Sequence, residues 1–218
     1  MPDETLKPAI RTALRLHEIG DASPYKLCFA GKGKSGASFG FMQGDLAAGQ
    51  PFVREVFSDA LATADIPIST IDEYIRELSV PLITCPLSSA ALAQVNAALL
   101  TSKSLVDEMD ERILSKIYDH LDICISQARA SDRSITAKAQ LYVALWINMT
   151  GPPTKLLIWL AGKNPALGLP VPSAPNVVDG PAIEGYLRAT HYFLENPHNF
   201  PHMMQCVAAA AAMAALAS

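Results

Sequence analysis

The sequence predicts an α+β fold, mainly α, with about eight helices and one small β-hairpin. Three observations carry this prediction. Apolar residues recur at three- and four-residue steps along most of the chain. A single glycine-rich stretch, residues 20–45, breaks that period and holds half of the 12 glycines. Half of the 218 residues are hydrophobic and only 17% are charged, against roughly 25% in an average soluble chain. Material for a packed interior is therefore ample, and the composition is not that of a disordered chain. No repeat or linker-like stretch divides the chain, so residues 1–218 read as one domain.

From the N-terminus, residues 3–18 place Leu6, Ile10, Leu14 and His17 on one helical stripe, with Pro8 tolerated in the first turn. The hairpin, 25–43, has candidate strands 25–30 and 37–42 around a turn-rich hexapeptide, 31–36. Residues 51–63 start at Pro51, a favoured first helical residue, and are expected to bury Phe52, Val53, Val56, Phe57, Ala60 and Leu61. Thr70-Ile71-Asp72-Glu73 has the form of a capping box opening the next helix. An Ala/Leu-rich helix spans 88–100, and the longest helix, 104–130, repeats Leu105, Met109, Ile113, Ile117, Leu121 and Cys124. Helices 134–149 and 154–161 are separated by Thr150-Gly151-Pro152-Pro153. A Pro-rich loop, 163–179, precedes helices 181–195 and 200–217, the last built largely on Ala. Trp146 and Trp159 fall at core spacing.

Composition excludes several function classes. The net charge is −4 with no basic block, so the electrostatic footprint of a nucleic-acid binder is missing. The cysteines, Cys28, Cys85, Cys124 and Cys206, form no C-x-x-C pair, which excludes the usual zinc and redox spacings. They read as free thiols, with two disulfides as the alternative. Prolines interrupt His191, His198 and His202, so helical i, i+4 metal ligation is lost. No metal and no cofactor is expected. The acidic cluster Asp107, Glu108, Asp110 and Glu111 reads as a solvated first helical turn. The apolar run 203–217 is shorter than the ~20 residues that span a bilayer, so stable membrane insertion is not expected. It suits a buried or interface helix, through which a homo-oligomer can form. The opening Met1-Pro2-Asp3-Glu4 shows no signal peptide.

Two chemistries compete for the glycine-rich segment. Cys28 to Ser35 nearly spells G-x-x-x-x-G-K-[ST], the phosphate cradle. Its first glycine is Cys28 here, and Gly36-Ala37-Ser38-Phe39-Gly40 is a poor start for the helix a cradle needs. Lys32 and Lys34 therefore read as solvated turn residues. The second chemistry starts from Glu18, which ends an amphipathic helix. The negative end of the helix dipole and partial desolvation both disfavour its charged form, as a proton donor to a glycosidic oxygen requires. Asp45 closes the glycine-rich segment in a polar turn, where ionisation is easy. Carboxyls with opposed environments are the pair used in glycoside hydrolysis.

These residues resemble a known family. A glutamate at a helix end, followed by Ser38-Phe39-Gly40-Phe41-Met42-Gln43-Gly44-Asp45, is similar to the lysozyme-like superfamily, nearest to goose-type lysozymes and soluble lytic transglycosylases, whose hairpin carries G-[LF]-M-Q. The likeness covers residues 16–45. It implies a lysozyme-like single domain and a glycosidase hydrolysing O-glycosyl bonds, with Glu18 as general acid. Asp45 takes the place of the aspartate that positions the hydrolytic water. Asp21 is a loose candidate for the family's second hairpin-side aspartate, at a spacing that departs from the pattern.

The expected reaction is polysaccharide degradation, on peptidoglycan or a related β-linked glycan, and an inverting course is expected if Asp45 is the base. The carboxyls of such a pair stand roughly 6.5–9.5 Å apart, against about 5 Å in a retaining enzyme. A lytic transglycosylase needs Glu18 and no base. A non-catalytic glycan-binding or interaction protein is the alternative from another class. Gln43 and Ser38 are candidates for bonds to sugar hydroxyls or the reactive water, although Ser38 equally suits bonding within the hairpin. Tyr25 is a candidate stacking ring, and Asn148 and Thr150 are candidate cleft residues at a helix end. A glycan substrate of this kind implies the cell envelope or secretion.

Overall fold

The three- and four-residue apolar steps fold as helix along most of the chain. The computed structural model describes residues 4–30, 34–48 and 50–215. In chain order its elements are α1 (Lys7–Glu18), β1 (Cys28–Phe29), β2 (Ala37–Phe39), β3 (Gly44–Asp45), α2 (Pro51–Thr63), α3 (Ile68–Leu78), α4 (Ser89–Thr101), α5 (Lys103–Arg129), β4 (Ser134–Ile135), α6 (Ala137–Thr150), α7 (Thr154–Leu160), β5 (Val177–Val178), α8 (Gly180–Arg188), α9 (His191–Glu195) and α10 (Asn199–Met213). The mainly helical α+β class is as expected. Two compact units divide the chain: Glu18–Leu114 forms one, and residues up to His17 and from Ser115 onward form the other.

In the Glu18–Leu114 unit the glycine-rich segment is a three-stranded antiparallel sheet of order β1-β2-β3, where the sequence suggested a two-stranded hairpin ending at 43. Gly40 and Gln43, both at positive φ, tighten residues 40–43 into a turn, and Gly44–Asp45 runs back along β2. The sheet covers a core that includes Phe39, Phe57, Leu61, Ile71, Leu78, Leu99 and Met109. Phe39 and Phe57 meet with ring centroids 5.8 Å apart and tilted by 49°, a favourable aromatic arrangement. The Arg112 guanidinium lies 4.3 Å from the Phe52 ring centre. Helix α4 starts where Ser88 Oγ accepts the Ala91 N–H at 3.2 Å. Helix α3 starts earlier than the capping-box pattern suggested: Pro67 precedes it and no side chain caps it. The preset φ of proline provides the entry there.

In the other unit α6 is buried on every side from Leu141 to Ile147, which is why its apolar pattern shows little periodicity. Trp146 and Trp159 are core residues, as their spacing suggested. Trp159 packs against Tyr186 at 4.9 Å and donates its Nε1–H to the Pro172 carbonyl at 2.8 Å. The Tyr142 hydroxyl donates to Glu184 Oε1 at 2.6 Å.

Several boundaries differ from the sequence reading. Ser134 and Ile135 pair in parallel with Val177 and Val178 instead of beginning α6, whose cap is Thr136. The expected helix 181–195 splits into α8 and α9, because the Thr190 hydroxyl donates to the Leu187 carbonyl at 2.6 Å while its backbone turns extended. Helix α10 ends at Met213, and the last residues of the expected helix, 216–217, lie outside the described residues. The four cysteines form no disulfide; Cys124 and Cys206 are buried, and Cys28 and Cys85 half-buried.

Candidate functional site

Strand periodicity builds the site. Successive side chains on β2 point to opposite faces. Ala37 and Phe39 enter the core, which leaves Ser38 on the other face. Pairing sets Cys28 opposite Ser38 and Ser38 opposite Asp45, and directly paired residues share a face. Cys28, Ser38 and Asp45 therefore form one row across three strands. A cavity of about 320 Å³ lies over this row, lined by Glu18, Cys28, Phe29, Ala30, Ser35, Ser38, Gln43 and Asp45. Its size falls at the lower end of small-molecule clefts, roughly 300–1,000 Å³.

Each polar group on the wall has an identifiable support. Glu18 is the last residue of α1 and is half-buried. Gly20, at φ 55, lies just beyond and takes the left-handed conformation that often closes a helix. Asp45 is held by the backbone: its Oδ1 accepts the N–H of Gly36 at 3.1 Å and of Ala47 at 2.7 Å. Ser38 donates its hydroxyl to Gln43 Oε1 at 2.8 Å, and Gln43 Nε2 donates to the Gly40 carbonyl at 2.9 Å. Gln43 has φ 51, uncommon for a residue with a side chain. Four of the sequence candidates, Glu18, Ser38, Gln43 and Asp45, thus line one cavity.

The other candidates are placed elsewhere. Tyr25 is half-buried and donates its hydroxyl to Asp107 Oδ1 at 3.0 Å, so it is held by that helix and does not line the cavity. Asp21 is exposed in the turn after α1 and is not on the wall. Asn148 and Thr150 belong to the other unit, and the cavity is built without them. The Thr150 hydroxyl donates to the Trp146 carbonyl one turn back, at 2.8 Å.

The course of the chain after Ser35 rules out the phosphate cradle: it enters strand β2 and presents no helix N-terminus. Lys34 is exposed, and Lys32 lies outside the described residues.

The acidic cluster on α5 requires a correction. It is not a uniformly solvated turn, because Asp110 is 0% exposed. Its Oδ2 accepts the Phe41 N–H at 2.9 Å and its Oδ1 the Met42 N–H at 3.0 Å. Asp110 comes four residues after Val106 and four before Leu114, so it stands on the buried stripe of the helix. That position was the available signal; reading the four acids as one group concealed it.

Among the described residues, no group of His, Cys, Asp and Glu is arranged to hold a metal ion. No helix among them is long and apolar enough to cross a membrane. Comparison with family models, with curated proteins and with solved structures yields no match to this chain.

Proposed function

We propose that this chain is a glycoside hydrolase acting on a polysaccharide, peptidoglycan or a related β-linked glycan, with Glu18 as general acid and Asp45 as general base. One observation carries the reading: a single cavity is lined by Glu18, Ser38, Gln43 and Asp45. Glu18 donates a proton to the departing glycosidic oxygen. Asp45, its Oδ1 already engaged by two backbone amides, uses its second oxygen to orient and deprotonate the attacking water. Separate acid and base acting on opposite faces of the sugar invert the anomeric centre. The resemblance of the Gly40–Asp45 segment to goose-type lysozymes and lytic transglycosylases supports the same assignment.

A second reading draws on the same Asp45 contacts. A carboxylate committed to Gly36 and Ala47 suits a structural clamp, and a lytic transglycosylase needs only Glu18. Both readings are tested by incubating wild type, Glu18→Gln and Asp45→Asn with peptidoglycan, chitin oligosaccharides and neutral β-glucans, and resolving products by NMR and mass spectrometry. Hydrolysis with inverted anomers, lost in both variants, is the expected result. Anhydro ends with Asp45→Asn still active establish the transglycosylase. No product from any glycan with wild type overturns the enzymatic assignment on these substrates.

A further inference from the structure

We propose that the buried Asp110 is a positioning residue for the cavity, acting through one peptide plane and the Gln43 side chain to fix Ser38 as a hydrogen-bond acceptor for a ligand hydroxyl or amide N–H. The peptide joining Gly40 to Phe41 is planar and rigid. Its N–H donates to Asp110 Oδ2 at 2.9 Å, and its carbonyl accepts Gln43 Nε2 at 2.9 Å. Gln43 Oε1 in turn accepts the Ser38 hydroxyl at 2.8 Å. The bonds run in one direction, from Ser38 to a carboxylate that is 0% exposed. Chains of this kind polarise each bond in turn, more strongly away from water.

The Ser38 proton is thereby directed at Gln43, and the lone pairs of its oxygen remain for a donor in the cavity. The turn is shaped to admit the carboxylate. Gly40 has φ 78, and a Cβ placed on it would stand 2.4 Å from Asp110 Oδ1. The Met42 N–H on that oxygen holds the carboxylate from its other side.

The part concerning a sugar donor rests on the glycosidase reading, so the test has two readouts. The first needs no glycan. In Asp110→Asn the amide nitrogen faces one turn N–H, and in Gly40→Ala the new methyl displaces the carboxylate. Both variants should shift the Gln43 side-chain amide signals in NMR and speed their solvent exchange at least tenfold. Leu99→Ala, a core truncation in the same unit, serves as the control for lost stability and should leave them in place. Unchanged Gln43 signals in both turn variants overturn the relay.

The second readout is the dissociation constant for N-acetylchitotetraose, measured in the Glu18→Gln background. Asp110→Asn and Ser38→Ala should each weaken binding about tenfold, and the double variant should bind no worse than Ser38→Ala. Additive losses overturn the coupling between Asp110 and Ser38. If the Glu18→Gln protein does not bind this oligosaccharide, the glycan assignment fails for that ligand, and the Gln43 signals decide the relay on their own.

Discussion

Ser38 and Asp45 stand directly opposite each other on β2 and β3, with both side chains on the wall of one cavity. The Ser38 hydroxyl donates its hydrogen bond to Gln43 Oε1, and Asp45 is pinned to Gly36 and Ala47. Two neighbours on one sheet face are thus oriented by different partners, so each can be altered separately.

Glu18→Gln should lower glycan hydrolysis by about 100- to 10,000-fold, the range for loss of a general acid. Its thermal unfolding midpoint should stay within a few degrees of wild type. Reducing-end release measured beside differential scanning calorimetry checks both, and full activity in the variant sinks the role of Glu18.

Asp45 separates chemistry from structure. Asp45→Asn keeps a carbonyl oxygen for the Gly36 and Ala47 amides and should fold with little change. Asp45→Ala leaves both donors without that acceptor and should cost about 1–3 kcal/mol per group that stays unsatisfied. Urea unfolding compares the two; equal stability would show that the bonds to Oδ1 contribute nothing.

Stability should fall at alkaline pH. Burial pushes the Cys124 thiol up to about 12, whereas an exposed thiol ionises near 8.5. Between those values the unfolded chain has released a proton that the folded one keeps. Unfolding is then favoured by about 1.4 kcal/mol for each pH unit, from this one group. Burial raises Tyr142 and Tyr186 as well, and the hydrogen bond to Glu184 adds to the shift of Tyr142; both act in the same direction. Urea midpoints between pH 8 and 11 should decline, and Cys124→Ala should decline less steeply. Parallel slopes would refute the assignment to Cys124.

Thiol labelling should sort the four cysteines. Cys28 and Cys85 are half-buried and should react with a chromogenic disulfide reagent under native conditions, whereas buried Cys124 and Cys206 should react only after unfolding. Because Cys28 lines the cavity, a bulky adduct there should block glycan turnover in a Cys85→Ser background. A fully active adduct would separate the cavity from catalysis.

Much of this fold was legible because apolar period decides helices. Helix α2 was read from Pro51 to Thr63, as it stands. The split at Thr190 was not legible, since it depends on a hydroxyl taking a carbonyl three residues back, a choice that leaves the apolar pattern intact. Likewise β4 and β5 are two residues each and pair across two helices and a loop, too short to show alternation. In the cavity, Glu18, Ser38, Gln43 and Asp45 could be picked out from the local segment. Asp110 could not be assigned to the turn, because its contacts with Phe41 and Met42 span almost seventy residues and no local pattern encodes them.

The alternation along β2 also restricts how this segment can vary. Shifting the strand by one position would exchange the environments of Ser38 and Phe39, turning a ring toward the groove and a hydroxyl toward oil. Insertions or deletions within the Gly40–Gln43 corner are therefore expected to be rejected outright. Chemical tuning of the groove is left to substitutions at Cys28, Ser38 and Asp45, whose alteration leaves the strand's inward-facing Ala37 and Phe39 in place.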